Sequence, residues 1–168
     1  MRGTRTLALL ATVAALACGG GSDDDDDGNP LGPPNGGGAT NGSMTASIGG
    51  VNWSATGTVS VTRSDPNYIG LGASGFGGGS AYALVVSIAN ATGPGPHDLN
   101  LYGGGDGSSL IVGSQTTGYG TGFQGGSGTI TISSLTANRI VGTFLGTLVP
   151  TGGGTNLMVT GGQFDITF

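Results

Sequence analysis

From Met44 onward, apolar side chains alternate with threonine and serine in short runs that glycine, asparagine or proline separates. Thr58–Thr62 is typical, because Val59 and Val61 share one side while hydroxyl residues take the other. Successive side chains of a strand point to opposite faces, so this period of two predicts half-buried antiparallel strands with one face in water. No stretch shows the period of an amphipathic helix.

Ten segments fit the strand pattern: Thr45–Ile48, Thr58–Thr62, Tyr68–Ser74, Ala81–Ile88, His97–Tyr102, Leu110–Ser114, Thr129–Ser133, Asn138–Val149, Asn156–Thr160 and Gln163–Phe168. Strands this close together without helices between them favour an all-β domain, either an antiparallel β-sandwich or a partly closed β-barrel of about nine or ten strands.

Glycine makes up 39 of the 168 residues, which raises the backbone entropy that folding must overcome. Within Asn138–Val149, Gly142 and Gly146 flank Phe144 on one face. The two glycines predict a bend of this strand at a barrel corner. The alternative is that the strand is central in the fold and is covered on both faces.

Gly49 and Gly50 predict a tight hairpin turn. Trp53, just beyond it, is either a core anchor or a platform for a sugar ring.

Charged groups are scarce, since the chain has no lysine and no glutamate. After Ser43 the chain has only two arginines, Arg63 and Arg139, and four aspartates: Asp65, Asp98, Asp106 and Asp165. Such a near-neutral surface offers no basic footprint for a phosphate backbone, so we expect no nucleic acid partner.

The N-terminus has the layout of an export signal. Arg2 and Arg5 precede an apolar stretch, Thr6–Ala17, that is too short to span a bilayer of roughly 30 Å. Leu16-Ala17-Cys18 resembles the lipobox of bacterial lipoproteins, which implies cleavage before Cys18 and acylation of its sulfur and amino group. We therefore predict a signal peptide at 1–17, a lipidated cysteine and disordered tether at 18–43, and the all-β domain at 44–168.

The tether contains five consecutive aspartates, Asp23 to Asp27, which hold most of the formal charge of −5. The run is a solvated spacer, a tag for export to the outer membrane surface, or a calcium site. Gly19 stands where an aspartate commonly retains lipoproteins in the inner membrane, so we expect a lipid anchor in the outer membrane. Cys18 is the only cysteine, which excludes an internal disulfide.

Three stretches together resemble a family of uncharacterised bacterial lipoproteins with a single small all-β domain. They are Met44–Trp53, Gly128–Ile132 with Arg139–Phe144, and Val159–Ile166. The resemblance implies the fold class and the envelope location, and it transfers no catalytic residue. The segment 64–126 departs most from the family pattern through its glycine runs.

A catalytic or metal site finds little support in the sequence. His97 is the only histidine, and Asp98 beside it points to the opposite face of a strand, so Asp98 cannot easily orient the imidazole. Asp106 in a glycine-rich loop could bind calcium only weakly with one carboxylate. The glycine loops lack the helix and lysine of a phosphate loop. We predict no catalytic residue, no metal and no cofactor, and expect a protein that is not an enzyme.

Two functions remain. The leading hypothesis is a lipid-anchored interaction or structural module of the cell envelope, facing the surface or the periplasm, with an envelope protein or glycan as partner. The alternative is a domain that binds a glycan or a small apolar ligand through aromatic rings at loops or a barrel mouth. Its candidate contacts are Tyr102, Tyr119 and Phe123, with Tyr68 and Tyr82 as further rings.

Overall fold

A computed structural model describes residues 39–65, 67–100 and 103–168. The predicted signal peptide, Cys18 and most of the predicted tether lie outside the described residues. The described part is all-β, as predicted, with 66% of it in strands and no α-helix. None of its elements is a helix that could cross a membrane.

Eleven strands follow one another along the chain: β1 (Ala39–Ile48), β2 (Val51–Ala55), β3 (Val59–Asp65), β4 (Tyr68–Gly77), β5 (Ser80–Ile88), β6 (Gly95–Asp98), β7 (Ser109–Gly113), β8 (Gly118–Gly120), β9 (Ser127–Leu135), β10 (Arg139–Pro150) and β11 (Leu157–Thr167). The first strand begins ahead of the predicted domain boundary at Met44, because Asn41 to Ser43 already pair with the end of β11.

Eight strands close into an antiparallel barrel in the order β11-β1-β2-β4-β5-β7-β8-β10, and β10 pairs back onto β11. The remaining strands are attached outside this ring, β3 to β1 and β4, β9 to β10, and β6 to β9. The barrel alternative is therefore confirmed over the sandwich. The prediction of nine or ten strands missed β2 and β8, which are short and lie beside glycine turns.

The predicted strands Asn156–Thr160 and Gln163–Phe168 are one strand, β11. Its register shifts between Thr160 and Gln163 against β1, and between Val159 and Gly162 against β10, which marks a β-bulge. Gly161 has φ of +59° at this bulge, a backbone conformation that residues with a Cβ rarely adopt. The glycine pair thus bends the strand without ending it.

The barrel interior is filled by one apolar core to which every long strand contributes alternate residues. Trp53 is 2% exposed, so it is a core residue rather than a surface platform. On β10, Phe144 points inward while Leu145 is 54% exposed. This decides against the alternative in which that strand is covered on both faces.

Aromatic rings occupy the space that glycine leaves on neighbouring strands. Phe164 lies opposite Gly142, Phe144 lies opposite Gly162, and the two rings stack with centroids 6.3 Å apart. A methyl group at Gly142 would stand 2.5 Å from Phe164 Cζ, and one at Gly75 would stand 2.9 Å from Trp53 Cε2. At Gly75, Gly142 and Gly162, glycine is therefore a packing requirement of a barrel that carries large rings.

Candidate functional site

The single histidine lies on β6, the outer strand that pairs with β9. His97 is 7% exposed and its Nδ1 is 2.7 Å from Asp106 Oδ2, across a loop that the sequence pattern did not connect to it. Asp98 points outward, as strand alternation predicted, and its Oδ1 accepts the amide of Asn100 at 2.9 Å. The histidine therefore pairs with the aspartate of the glycine loop and not with its neighbour in the chain.

Further hydrogen bonds hold Asp106 in place. Its Oδ1 accepts the Ser108 amide at 2.9 Å, and Ser108 Oγ accepts the Ala89 amide at 3.0 Å. Burial acts to raise the pKa of Asp106, but the hydrogen bonds from Ser108 and the hydrogen bond and charge of His97 outweigh it, so the pKa lies below its ordinary value. The group fastens the loop before β7 to β5 and β6.

The geometry of the His97–Asp106 pair is better suited to a structural role than to proton transfer. A nucleophilic relay needs a hydroxyl against the imidazole, with the carboxylate on the opposite nitrogen. The Ser108 amide instead donates to the carboxylate, its hydroxyl accepts the Ala89 amide, and the residue is 1% exposed. Among the described residues, no three His, Cys, Asp or Glu side chains come together as a metal site requires.

The Asp106 contacts should make stability depend on pH. We expect Asp106→Ala to lower the free energy of unfolding by about 1–2 kcal/mol at pH 7. Because the folded-state pKa is depressed, this contribution is present above the ordinary aspartate pKa of about 4 and is lost as the pH falls through the folded-state value. Urea unfolding of the wild type and of Asp106→Ala, at pH 7 and below pH 4, tests this pH dependence.

Asp98→Ala is the control for that series, since it removes an exposed carboxylate at the end of β6 that is not paired with His97. If Asp106→Ala lowers the free energy of unfolding as much in acid as at pH 7, the effect does not come from the ionised carboxylate.

The predicted aromatic contacts do not converge on one platform. Tyr102 lies outside the described residues. Tyr119 is half-buried and packs against the core, as Tyr82 does, whereas Phe123 lies on the outer face with 42% exposure. Tyr68 donates its hydroxyl to Ser87 Oγ at 3.1 Å.

One outer wall of the barrel has a polar central row, with the exposed apolar residues Leu145 and Met158 further along β10 and β11. Its central row crosses five adjacent strands in register, and all its members are exposed: Thr131, Thr143, Gln163, Thr45 and Ser54. We call this row and its hydroxyl and amide neighbours on β1, β2, β9, β10 and β11 the polar wall. Three adjoining depressions of about 410, 250 and 420 Å³ follow it, with Thr45 shared by the first two and Asp165 by the last two.

An ion pair between Arg139 and Asp165 lies at the end of the polar wall. Arg139 Nε and Nη2 donate to the two carboxylate oxygens of Asp165 at 2.8 and 2.7 Å. The hydrogen bond and charge of Arg139 lower the pKa of Asp165 despite some opposing desolvation. Both side chains are about half exposed, so the pair shapes the third depression more than it stabilises the fold.

The other outer wall is apolar. Its central row also crosses five strands in register: Gly72, Val85, Ile111, Gly120 and Val149. Phe123 covers Gly120, where an added methyl group would stand 3.2 Å from its Cε2 atom. We define the apolar wall as this row with Phe123 and five further outward residues of β4, β5 and β7, namely Ser74, Phe76, Ala81, Ala83 and Gly113. Beyond them the same face becomes polar, where the Tyr68 hydroxyl bonds to Ser87. None of these residues is charged.

Periodicity shows which residues of one strand point outward, but the two walls follow from which strands are neighbours. Val85 and Ile111 are far apart in the chain and adjacent only because β5 pairs with β7.

Comparison with protein-family models, with curated proteins and with solved structures finds no match to this chain.

Proposed function

We propose that this chain is an exported bacterial lipoprotein, anchored in the outer membrane through an acylated Cys18, whose barrel is a non-catalytic interaction module. The observation that carries the interaction role is the contrast between a filled interior and two chemically different outer walls. A barrel whose core is packed with its own side chains offers binding surfaces on its outside.

The chemistry of the described residues supports a role without catalysis. The buried imidazole is engaged by Asp106, and the remaining described ion pair, between Arg139 and Asp165, is exposed on the polar wall. The leader and the lipobox motif support the location, as does the resemblance to envelope lipoproteins.

Cys18→Ser tests the anchor. We expect the wild-type chain, recovered from its own membranes, to carry the mass of acyl groups on Cys18, and the variant to leave the membrane fraction almost completely. Each buried methylene contributes about 0.8 kcal/mol, so loss of two or more chains removes stable anchoring. Ser22→Ala, in the same segment, is the matched control. An unmodified Cys18, or a variant that stays in the membrane, would count against the anchor.

Protease shaving of whole cells and crosslinking in intact envelopes test the interaction role. Loss of the domain on shaving would place it at the cell surface, and its protection would place it in the periplasm. We expect crosslinking to capture the barrel through residues of one wall. Failure to capture any envelope component with reagents placed on either wall would count against an interaction module.

Glycan binding is the second candidate function, and the three depressions of the polar wall favour it. Hydroxyl and amide side chains such as Gln163, Thr143 and Asn52 both donate and accept hydrogen bonds, as sugar hydroxyls require. Binding of the full chain to an array of bacterial glycans tests this candidate. Gln163→Ala should weaken any hit, Phe76→Ala on the opposite wall should not, and equal loss in both would contradict the assignment.

A further inference from the structure

Arg63 is the one arginine of the described residues that has no carboxylate partner, since Arg139 is paired with Asp165. Arg63 lies on β3, is half-buried, and has a buried Nε atom without a hydrogen-bond partner. Its Nη1 donates to the Ala137 carbonyl oxygen at 3.4 Å, which is long for a hydrogen bond. The guanidinium therefore keeps donors that the described part of the fold does not use.

The Arg63 guanidinium is held over an aromatic ring. Its Cζ atom lies 4.0 Å from the centroid of the Phe168 ring, which is a cation–π contact. Burial lowers the pKa of Arg63 from its ordinary value, whereas the hydrogen bond and charge of Asp165 raise the pKa of Arg139. A cation that has lost part of its water without gaining a counter-ion favours the approach of an anion.

The chain enters the described fold beside Arg63. Asn41 on β1 pairs with Thr167 on β11, and Ala39 pairs with Ser60 on β3. The start of β1 therefore lies between β11 and β3. Arg63 is three residues beyond Ser60, about 10 Å along the strand. Because β1 and β3 are antiparallel, the chain ahead of Ala39 arrives from the end of β3 where Arg63 lies.

We propose that the aspartate run, Asp23 to Asp27, docks on Arg63 of the same chain and holds the segment ahead of β1 against this end of the barrel. Asp27 precedes Ala39 by twelve residues, a stretch that can extend to about 40 Å, so the run reaches Arg63 with chain to spare. A partner on the same chain meets its site at an effective concentration in about the millimolar range.

Charge selects the aspartate run as the occupant. The run holds five of the nine acidic residues of the chain, and adjacent carboxylates repel one another, which a guanidinium relieves. Asp106 and Asp165 already have partners. A guanidinium that is partly out of water also attracts a carboxylate more strongly than a fully solvated one does.

Docking of the aspartate run shortens the link between the barrel and the membrane. The chain from Cys18 to Ala39 can extend to about 70 Å, whereas the chain from Cys18 to the run extends to only about 17–30 Å. Docking therefore keeps this end of the barrel toward the bilayer, and screening by salt releases it. This consequence rests on the proposed anchor at Cys18, whereas the docking itself does not.

Carbodiimide crosslinking of the full chain tests the contact, because it joins a carboxylate directly to an amine that touches it. The chain has no lysine, so Arg63→Lys keeps the charge and introduces the one side-chain amine. We expect mass spectrometry to find an amide bond between position 63 and the aspartate run, with at least threefold less of it in about 1 M salt. Arg139→Lys is the matched control, and should crosslink to Asp165 and at least tenfold less to the run.

The other crosslinking outcomes overturn the docking. If Arg139→Lys crosslinks to Asp165 while Arg63→Lys gives no product with the aspartate run, Arg63 does not hold the run. A product of Arg63→Lys with Asp65, or a product between two copies, assigns another carboxylate to Arg63 and overturns the docking equally.

Proteolysis supplies a second readout that needs no introduced amine. An endoproteinase that cleaves before aspartate should cut the aspartate run at least threefold faster in Arg63→Gln than in the wild type, and Arg139→Gln should behave like the wild type. Equal cleavage rates in all three proteins would overturn the docking.

Mass spectrometry of Cys18 in the crosslinked samples separates this inference from the proposed anchor. An acylated Cys18 without the crosslink from position 63 removes the docking and keeps the anchor. An unmodified Cys18 with that crosslink keeps the docking and removes the anchor.

Discussion

Replacing Gly162 by alanine is expected to lower the free energy of unfolding by about 2–3 kcal/mol, the upper part of the usual overpacking range. The added methyl group would stand 2.5 Å from Cε2 of Phe144, which lies directly opposite in the β10–β11 register. The ring cannot move aside, because its other face stacks on Phe164 within a closed core. Gly142→Ala should cost a similar amount, because its methyl group would clash with the Thr131 carbonyl oxygen on β9 as well as with the Phe164 ring.

Urea unfolding followed by fluorescence measures these changes, since the single Trp53 is buried and reports on the core. Gly152→Ala is the matched control, because a methyl group there has no neighbour within 4 Å. The double variant Gly162→Ala with Phe144→Leu should show less than the sum of the two single losses, since the smaller side chain relieves the clash. Equal losses at Gly152 and Gly162 would show that the clash with the ring does not set the effect.

Phe144→Ala should have the largest effect of any single truncation in the barrel, about 3–5 kcal/mol of unfolding free energy. Phe144 is 2% exposed, and its loss removes the stack with Phe164 as well as its buried area. The space left beside Gly162 has no side chain that could fill it, because the neighbouring residue is itself a glycine. A total stability of about 5–15 kcal/mol makes such a loss a large fraction of the whole.

Phe76→Ala provides the matched comparison, because the same residue type is 60% exposed on the apolar wall. Its unfolding free energy should change by no more than about 0.5 kcal/mol. Thermal melts of dilute samples keep the comparison free of any association through that wall. A Phe76→Ala loss as large as that of Phe144→Ala would mean that the wall is part of the folded core.

Much of the fold could be predicted from the sequence, although its closure could not. The valine pairs of Thr58–Thr62 and the isoleucine pairs of Thr129–Ser133 lie in strands, and in each the apolar residues point inward. The predicted strands Asn156–Thr160 and Gln163–Phe168 leave Gly161 and Gly162 between them. In the barrel they form a bulge within β11 and make room for Phe144.

The candidate sites were less predictable. The alternation rule correctly separated His97 from Asp98, but nothing local indicated Asp106 as its partner. The aromatic residues were grouped by their chemistry, yet Tyr119 packs against the core and Phe123 lies outside. The Asp106–Gly107–Ser108 turn, with its amide bonded back to the aspartate, was the one local signal of a fixed carboxylate.

The sequence by itself determined the all-β class and which residues of each strand face the core, because side-chain direction along a strand depends only on the local backbone. The tertiary structure alone decided which strands are neighbours, which glycine faces which ring, and that polar and apolar rows collect on separate walls. Those features depend on register between segments more than a hundred residues apart, as in the pairing of Asn41 on β1 with Thr167 on β11. Register is set by the packing of the whole closed barrel, which no short stretch of sequence contains.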